Sequence, residues 1–348
     1  MKSWSARVMA LAAIAGSTAA TAQGGGIAKS IEGLPVKGIQ NVAITVSDID
    51  ATIAFYSKAV PYKLHTRFTV LGSVFGKGLL ANRHSTVEIA IIEMPTMFIQ
   101  LMDFEPGKRA APDVRPVIGP GYTHICFQSP STDSAYRKFR EAGLDPVSRG
   151  GSEGVDIGGY GVHYAYGRDP DGIMIENEIL DKPKRSEAAW VTHVANVVHN
   201  RDTMLGFYAK LLERPPHRKI DQENRPRLDD IANIDNIAIK GGWFSVGNME
   251  IEVWQFARPQ TPAPTGDRKL DSIGYNAIGF EVADLAVERT RLKKLGVRLA
   301  GSVVRVGAWK IQYAYDPEGN LFAMQQNVGG NLNDSVDHLD WIARPKAN

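Results

Sequence analysis

The sequence holds one cysteine in 348 residues, Cys126, so no internal disulfide can brace the fold and stability must come from packing. It also lacks a membrane-spanning segment: the apolar run Val8 to Ala15 falls well short of the roughly 20 residues a helical span needs. Charge of one sign is missing too. Lys and Arg number 40 against 38 Asp and Glu, and no block of like charge supplies a phosphate-binding stripe, which excludes a nucleic-acid partner. No compositional bias stands out, since 43% hydrophobic and 22% charged residues are ordinary for a soluble globular protein. The length suits two domains of roughly 150 residues, each large enough for its own core.

What is present begins with an export signature. Lys2 and Arg7 precede the apolar run, and Ala20-Thr21-Ala22 has the small-residue form of a cleavage site. Residues 1–22 are therefore expected to be a cleaved signal peptide, with cleavage after Ala22 and a periplasmic or secreted mature protein. Gly24-Gly25-Gly26 reads as a flexible lead-in.

The rest of the chain repeats itself. Asn41 to Val46 alternates as a half-buried strand, Ser47 or Asp48 can cap a following helix, and Ile49, Ile53, Tyr56 and Ala59 mark that helix's inner face. Further strands follow, including Met97 to Phe104. The same order restarts at Tyr122, at Val191 and at Asn276. Offsets support a repeat: Phe55-Tyr56 maps to Phe207-Tyr208, Gly143 to Gly296, and Asp169-Pro170 to Asp316-Pro317. Four βαβββ units in an α+β fold follow, grouped as residues 37–180 and 190–327 with a tail at 328–348. Lys182, Pro183, Lys184 and Arg185 form a solvated linker between them. Pro215 to Asn236, long and charged, reads as an exposed mobile loop with a possible lid role.

The stretch Arg168-Asp169-Pro170-Asp171-Gly172-Ile173-Met174-Ile175-Glu176 is a turn followed by an apolar strand ending on a carboxylate. Together with the four units, the Phe-Tyr pair in the helix and the strand-opening residues at positions 41, 124 and 193, it resembles the vicinal oxygen chelate superfamily over residues 37 to 327. That group spans glyoxalases, bleomycin-resistance proteins and extradiol dioxygenases. The resemblance implies two cupped mixed sheets, with one metal ligand from the first and last strand of each unit.

Carried onto this sequence, those positions hold Asn41 and Gln100 in the first unit, His124 and Glu176 in the second, His193 and Glu252 in the third, and Ala277 and Ala323 in the fourth. Pairing within each half would leave both cups incomplete. Pairing the second unit with the third, as in the glyoxalase I branch, gives one complete set and one decayed set. Each ligand alone has a plainer reading: a core histidine, a turn cap or a solvated edge carboxylate. Four independently placed positions yielding two imidazoles and two carboxylates argue for one divalent ion, of Zn, Ni, Co, Mn or Fe.

By this resemblance Glu176 would be the base in a proton transfer on a small substrate that meets the metal through oxygens on adjacent carbons. Trp254, Phe256 and Cys126 are expected near the pocket, and Arg168 and Lys310 are candidates to meet an anionic substrate. The other histidines receive no role. A glyoxalase I-like lyase or isomerase leads, with a homodimer as one option, although an exported protein would meet little glutathione. An extradiol dioxygenase is the second reading, weakened by Ala277 and Ala323, and a non-catalytic binding protein of the bleomycin-resistance type the third.

Overall fold

The computed structural model describes residues 33–107, 114–185 and 188–340. The expected signal peptide at 1–22, and Trp341 and Ile342 of the tail, lie outside them.

The first unit runs β1 (Gly38–Thr45), α1 (Ile49–Tyr56), β2 (Lys63–Leu71), β3 (Thr86–Glu93) and β4 (Phe98–Asp103). The second has β5 (Gly121–Pro130), α2 (Ala135–Glu141), two short strands β6 (Asp145–Pro146) and β7 (Val155–Asp156), then β8 (Val162–Arg168) and β9 (Met174–Leu180). In the third, β10 (Trp190–Val197) and α3 (Arg201–Leu211) precede β11 (Arg218–Glu223), α4 (Pro226–Ala232), β12 (Ala238–Val246) and β13 (Met249–Arg258). The fourth comprises β14 (Gly274–Glu281), α5 (Leu285–Lys294), β15 (Arg298–Val306), β16 (Trp309–Tyr315) and β17 (Leu321–Asn327). One polar residue starts the main helix of every unit. The side chains of Asp48, Ser134, Asn200 and Asp284 each accept from a backbone N–H of the first turn, satisfying a donor the helix cannot.

Two curled sheets result, and each takes one unit from each half of the chain. The eight-stranded sheet is ordered β15-β16-β17-β14-β1-β4-β3-β2, joining the first and fourth units through an antiparallel β1–β14 pair. The nine-stranded sheet is ordered β11-β12-β13-β10-β5-β9-β8-β6, with β7 beside β8, and joins the second and third units through β5–β10. The short link between Leu180 and Trp190 lets the third unit enter directly beside the second. The largest core cluster draws on both sheets and on α1, α2, α3 and α5, with Phe55 stacked on Phe139 and Phe207 against Phe322.

The two Asp-Pro turns join the sheets. Asp169 closes its own turn by accepting from Asp171 N and Ile173 N, and also accepts from Tyr56 Oη at 3.0 Å. Asp171 accepts from the backbone N–H and hydroxyl of Ser47. Both partners belong to the first unit, in the other sheet. The second turn mirrors this: Glu318 accepts from His199 N and Asn200 N at 2.8 Å, and Asn196 reaches Asp316. Ser47 is thus a docking residue, and Asp48 is the cap.

The segment from Pro215 to Asn236 is not a mobile loop. It folds as β11 and α4, with Pro226 at the helix start, where a missing N–H costs nothing. Asn233 in left-handed backbone ends the helix. Leu228, Ile231 and Ala232 are buried against Val155, Val197, Ile239 and Phe256, and Ser148 donates to Ile231 O at 2.6 Å. The charges that suggested a loop occupy the outer face of a cover. In the tail, Val336 and Leu339 are buried, and Ser335 and Val336 both bind the Glu281 carboxylate. No helix among the described residues is long and apolar enough to cross a membrane.

Candidate metal centre

Strand register brings the four expected ligands to one patch. β5 and β9 run parallel with Cys126 opposite Glu176, and β10 and β13 run parallel with Ala195 opposite Glu252. Between the two pairs, His193 lies opposite Cys126 and Ala195 opposite His124. The patch lies on the sheet face opposite α3. A Cβ on Gly242 would strike Leu205 of α3 at 2.6 Å, whereas one on neighbouring Gly241 would strike Trp243, whose indole belongs to the site.

His193 Nε2 lies 2.8 Å from Glu176 Oε2 and 3.3 Å from Glu252 Oε2, and His124 Nε2 lies 3.3 Å and 3.7 Å from the same two oxygens. All four residues are buried, at 6% exposure or less. Thr123 Oγ1 meets His124 Nδ1 at 3.0 Å, and Thr192 Oγ1 meets His193 Nδ1 at 3.2 Å. A Nδ1–H donated to each hydroxyl would leave both Nε2 lone pairs aimed into the patch. Trp243 Nε1 donates to Glu252 Oε1 at 2.8 Å, which orients that carboxylate and leaves Oε2 for the patch.

Charge shows why such a patch suits a cation. Burial alone would raise both glutamates, but the two histidines outweigh it and hold Glu176 and Glu252 below the usual carboxylate range. Burial alone would likewise lower the imidazoles, and the two carboxylates raise His124 and His193 instead. Free of an ion, the box therefore favours two imidazolium and two carboxylate groups. A divalent cation with two neutral imidazoles carries the same net charge, so it can replace the two protons charge for charge. His124 Nε2 is buried without a well-aligned hydrogen-bond partner among the described residues, as a nitrogen shaped for a ligand would be. The ligating atoms lie within 4.8 Å of one another, so the group could hold one ion.

The remaining expected residues divide. Cys126 is fully buried beside Glu176 and His193. Trp254 packs edge-on against Trp243 with ring centroids 5.2 Å apart, and its buried Nε1 has no hydrogen-bond partner among the described residues. Phe256 lies on the same strand face but packs under α4. Arg168 and Lys310 differ from expectation. The Arg168 guanidinium donates to Gly172 O at 2.9 Å and Arg115 O at 2.6 Å, bracing the turn, and Lys310 lies on β16 of the other sheet.

Several residues went unread in the sequence. The Tyr166 ring lies 5.1 Å from that of His124, and Trp243 reaches Glu252 from a neighbouring strand. No local pattern announces either, because both arrive by cross-strand pairing, with Glu176 and Glu252 respectively. The Thr-His dipeptide was legible, occurring at 123–124 and again at 192–193. Glu178, two residues past Glu176, faces the same way; burial and the Glu176 charge push it up to about 7.

The corresponding positions of the other sheet hold no titratable group. Asn41 donates to Gln100 Oε1 at 3.2 Å and accepts from Gln325 at 3.1 Å. Ala277 and Ala323 join an apolar cluster with Phe75, Leu79, Leu270 and Tyr313.

Known proteins agree with this architecture. No curated protein matches the sequence significantly. Among solved structures, glyoxalase I from Zea mays aligns with a TM-score of 0.55 at 17% identity, covering 83% of this chain and 92% of its own. A variant of the same enzyme gives 0.57 at 16%, covering 87% and 95%. A proposed dioxygenase from Bacillus subtilis gives 0.54 at 11%, covering 87% and 90%. Identities this low establish the fold alone. Family models match twice, over residues 38–177 and 192–315, both described as the Glyoxalase/Bleomycin resistance protein/Dioxygenase superfamily, and the chain belongs to that superfamily.

Proposed function

We propose that the protein is an exported, metal-dependent lyase or isomerase of the glyoxalase I type, moving a proton between adjacent carbons of a small substrate with vicinal oxygens. The observation that carries this reading is the buried box of His124, Glu176, His193 and Glu252, two imidazoles and two carboxylates with their ligating atoms turned toward one point. A bound divalent ion would supply Lewis acidity to the substrate oxygens.

The chain's own residues do the rest. Glu176 meets His193 and His124 through one oxygen, Oε2, so its carboxylate can swing to take a proton from the substrate carbon and return it to the neighbouring one. Glu252 is tied by Trp243 and stays in place. Tyr166, Trp243 and Trp254 wall the patch with aromatic rings, and α4 with its buried Leu228 and Ile231 keeps water out. The unpaired Trp254 N–H is available to a substrate oxygen. Arg168 is spent on carbonyls, so the wall favours a compact, weakly charged substrate over a glutathione conjugate.

The test is proton exchange. Small α-hydroxy carbonyl compounds are incubated in D2O with the full chain loaded with Ni2+, Zn2+ or Mn2+, and NMR follows deuterium at the adjacent carbon. Exchange or isomerisation by the wild type, lost in Glu176→Gln, is the expected result. Oxygen consumption with a catechol and Fe2+, and no exchange, would replace this reading with the dioxygenase one.

A further inference from the structure

We propose that the cup contains a second, thiolate-bearing metal position, formed by Cys126, Glu178, Glu176 and His193, which takes thiophilic divalent ions and excludes an ion from the four-residue box. Its reading as an alternative position rests on the metal reading above. Its geometry stands independently.

The pseudo-symmetry of the nine-stranded sheet relates β5 to β10 and β9 to β13, and it places His124 with His193 and Glu176 with Glu252. Two residues beyond each ligand the symmetry breaks. Beyond His193 and Glu252 stand Ala195 and Trp254, which offer no metal donor. Beyond His124 and Glu176 stand Cys126 and Glu178, a sulfur and a carboxylate. An ion in this cup can therefore move toward one side only.

Register delivers the pieces. Cys126 lies opposite His193 across β5–β10 and opposite Glu176 across β5–β9, so its side chain emerges between them. Cys126 Sγ and one ligating atom each from Glu176, Glu178 and His193 lie within 4.8 Å of one another, the same compactness as the first set. Cys126, Glu176 and His193 are buried, and Gln128 donates to Glu178, fixing its carboxylate.

The two positions compete because they share Glu176 and His193. An ion held by Cys126 draws on His193 and Glu176 and so takes both from the box. Ligand softness then sorts the ions: a box of two imidazoles and two carboxylates suits Mn2+ or Ni2+, whereas the thiolate favours Cd2+. On binding, the metal–sulfur bond replaces the S–H bond and the proton passes to solvent. A thiophilic ion would thus immobilise the carboxylate proposed to carry the substrate proton.

The test uses the full chain with Cd2+ or Mn2+ alone. Wild type with Cd2+ is expected to show an ultraviolet thiolate-to-metal charge-transfer band at one ion per chain, and Mn2+ to be displaced as the band grows. Cys126→Ser should abolish the band and weaken Cd2+ by about tenfold or more while still binding Mn2+, which also shows that it folds. His124→Ala should lose Mn2+ and keep the band, and Glu178→Gln should weaken Cd2+ alone. Cd2+ binding without a band, or unchanged Cd2+ affinity in Cys126→Ser, would overturn the second position while leaving the box intact. Failure of wild type to bind either ion would overturn both.

Discussion

The two sheets of this protein are built to one plan and filled with opposite chemistry. In the sheet of the second and third units, the four inward positions are His124, Glu176, His193 and Glu252; in the sheet of the first and fourth they are Asn41, Gln100, Ala277 and Ala323. The second set is complete as it stands. Its amides bind one another, with Gln325 reaching Asn41 across Gly279, where a Cβ would lie 2.4 Å from Asn41 Oδ1 and 1.7 Å from Gln325 Nε2. Around them the turn Gly72–Phe75 and the loop bearing Leu270 fill the cup with apolar side chains. The first set is balanced only by two protons or a cation. Fold and turns are therefore common to both cups, and the capacity for chemistry rests on a few side chains.

Removing ligands should separate the cups most sharply. The full chain is expected to bind one divalent ion, measured by elemental analysis after dialysis, and Glu176→Ala or His193→Ala to lose most of it. Asn41→Ala and Gln100→Ala should retain it. Loss of the ion in Asn41→Ala would place the site in the other sheet.

Converting the decayed cup toward the intact one should fail in an informative way. Ala323→Glu would bury a carboxylate at a position 1% exposed, in an apolar cluster with Leu79, Leu270 and Tyr313. A destabilisation of roughly 3–5 kcal/mol in urea is expected. A loss below about 1 kcal/mol would mean that this cup admits water.

Protons and metal should compete in the intact cup. Because carboxylates outweigh burial and hold His124 and His193 above the ordinary imidazole value of 6.5, the ion competes with protons up to higher pH than it would at ordinary imidazoles. Apparent affinity should fall as pH drops, by up to about a hundredfold per unit where both imidazoles are charged. The ion-free protein behaves oppositely at the alkaline end. The raised histidines contribute stability fully present below their unfolded value of 6.5 and lost as pH rises through their folded values. The lowered glutamates contribute stability that disappears as pH falls through theirs. Melting temperature of the ion-free chain should therefore decline above neutrality, and added metal should restore it. An affinity independent of pH between 5 and about 8 would contradict the exchange of protons for metal.

Much of this was legible in the sequence, and the reasons are physical. Repeat offsets exposed four units because equivalent strands and caps need the same residues at the same spacing: Phe55-Tyr56 and Phe207-Tyr208 both pack the space between the sheets. The Asp-Pro turns were visible, but their task was not. Contacts such as Asp171 with Ser47, 124 residues away in the chain, leave no local trace. The segment around α4 misled through its charge, since a helix on the surface carries its signal on one narrow face, here Leu228, Ile231 and Ala232. Arg168 misled because a cation's sequence position says nothing about the carbonyls that claim it, and Lys310 because it says nothing about which sheet will carry it.

The smallest expected effect concerns the least legible contact. Trp243 stands opposite Glu252 in the β12–β13 ladder, and its Nε1 donates at 2.8 Å to the carboxylate oxygen turned away from the histidines. In the other sheet Ile91 stands opposite the equivalent Gln100, an uncharged amide that takes its donor from Asn41 instead. Trp243→Phe keeps an aromatic ring against Trp254 and deletes only the donor, so the fold should persist with little change in melting temperature. Metal affinity should fall by about 10–100-fold, the usual cost of losing a partner that orients a ligand. Calorimetric titration with Mn2+ measures the difference. If affinity were unchanged, Glu252 would be held by the strand alone, and what separates the two cups would shrink to the four ligand positions themselves.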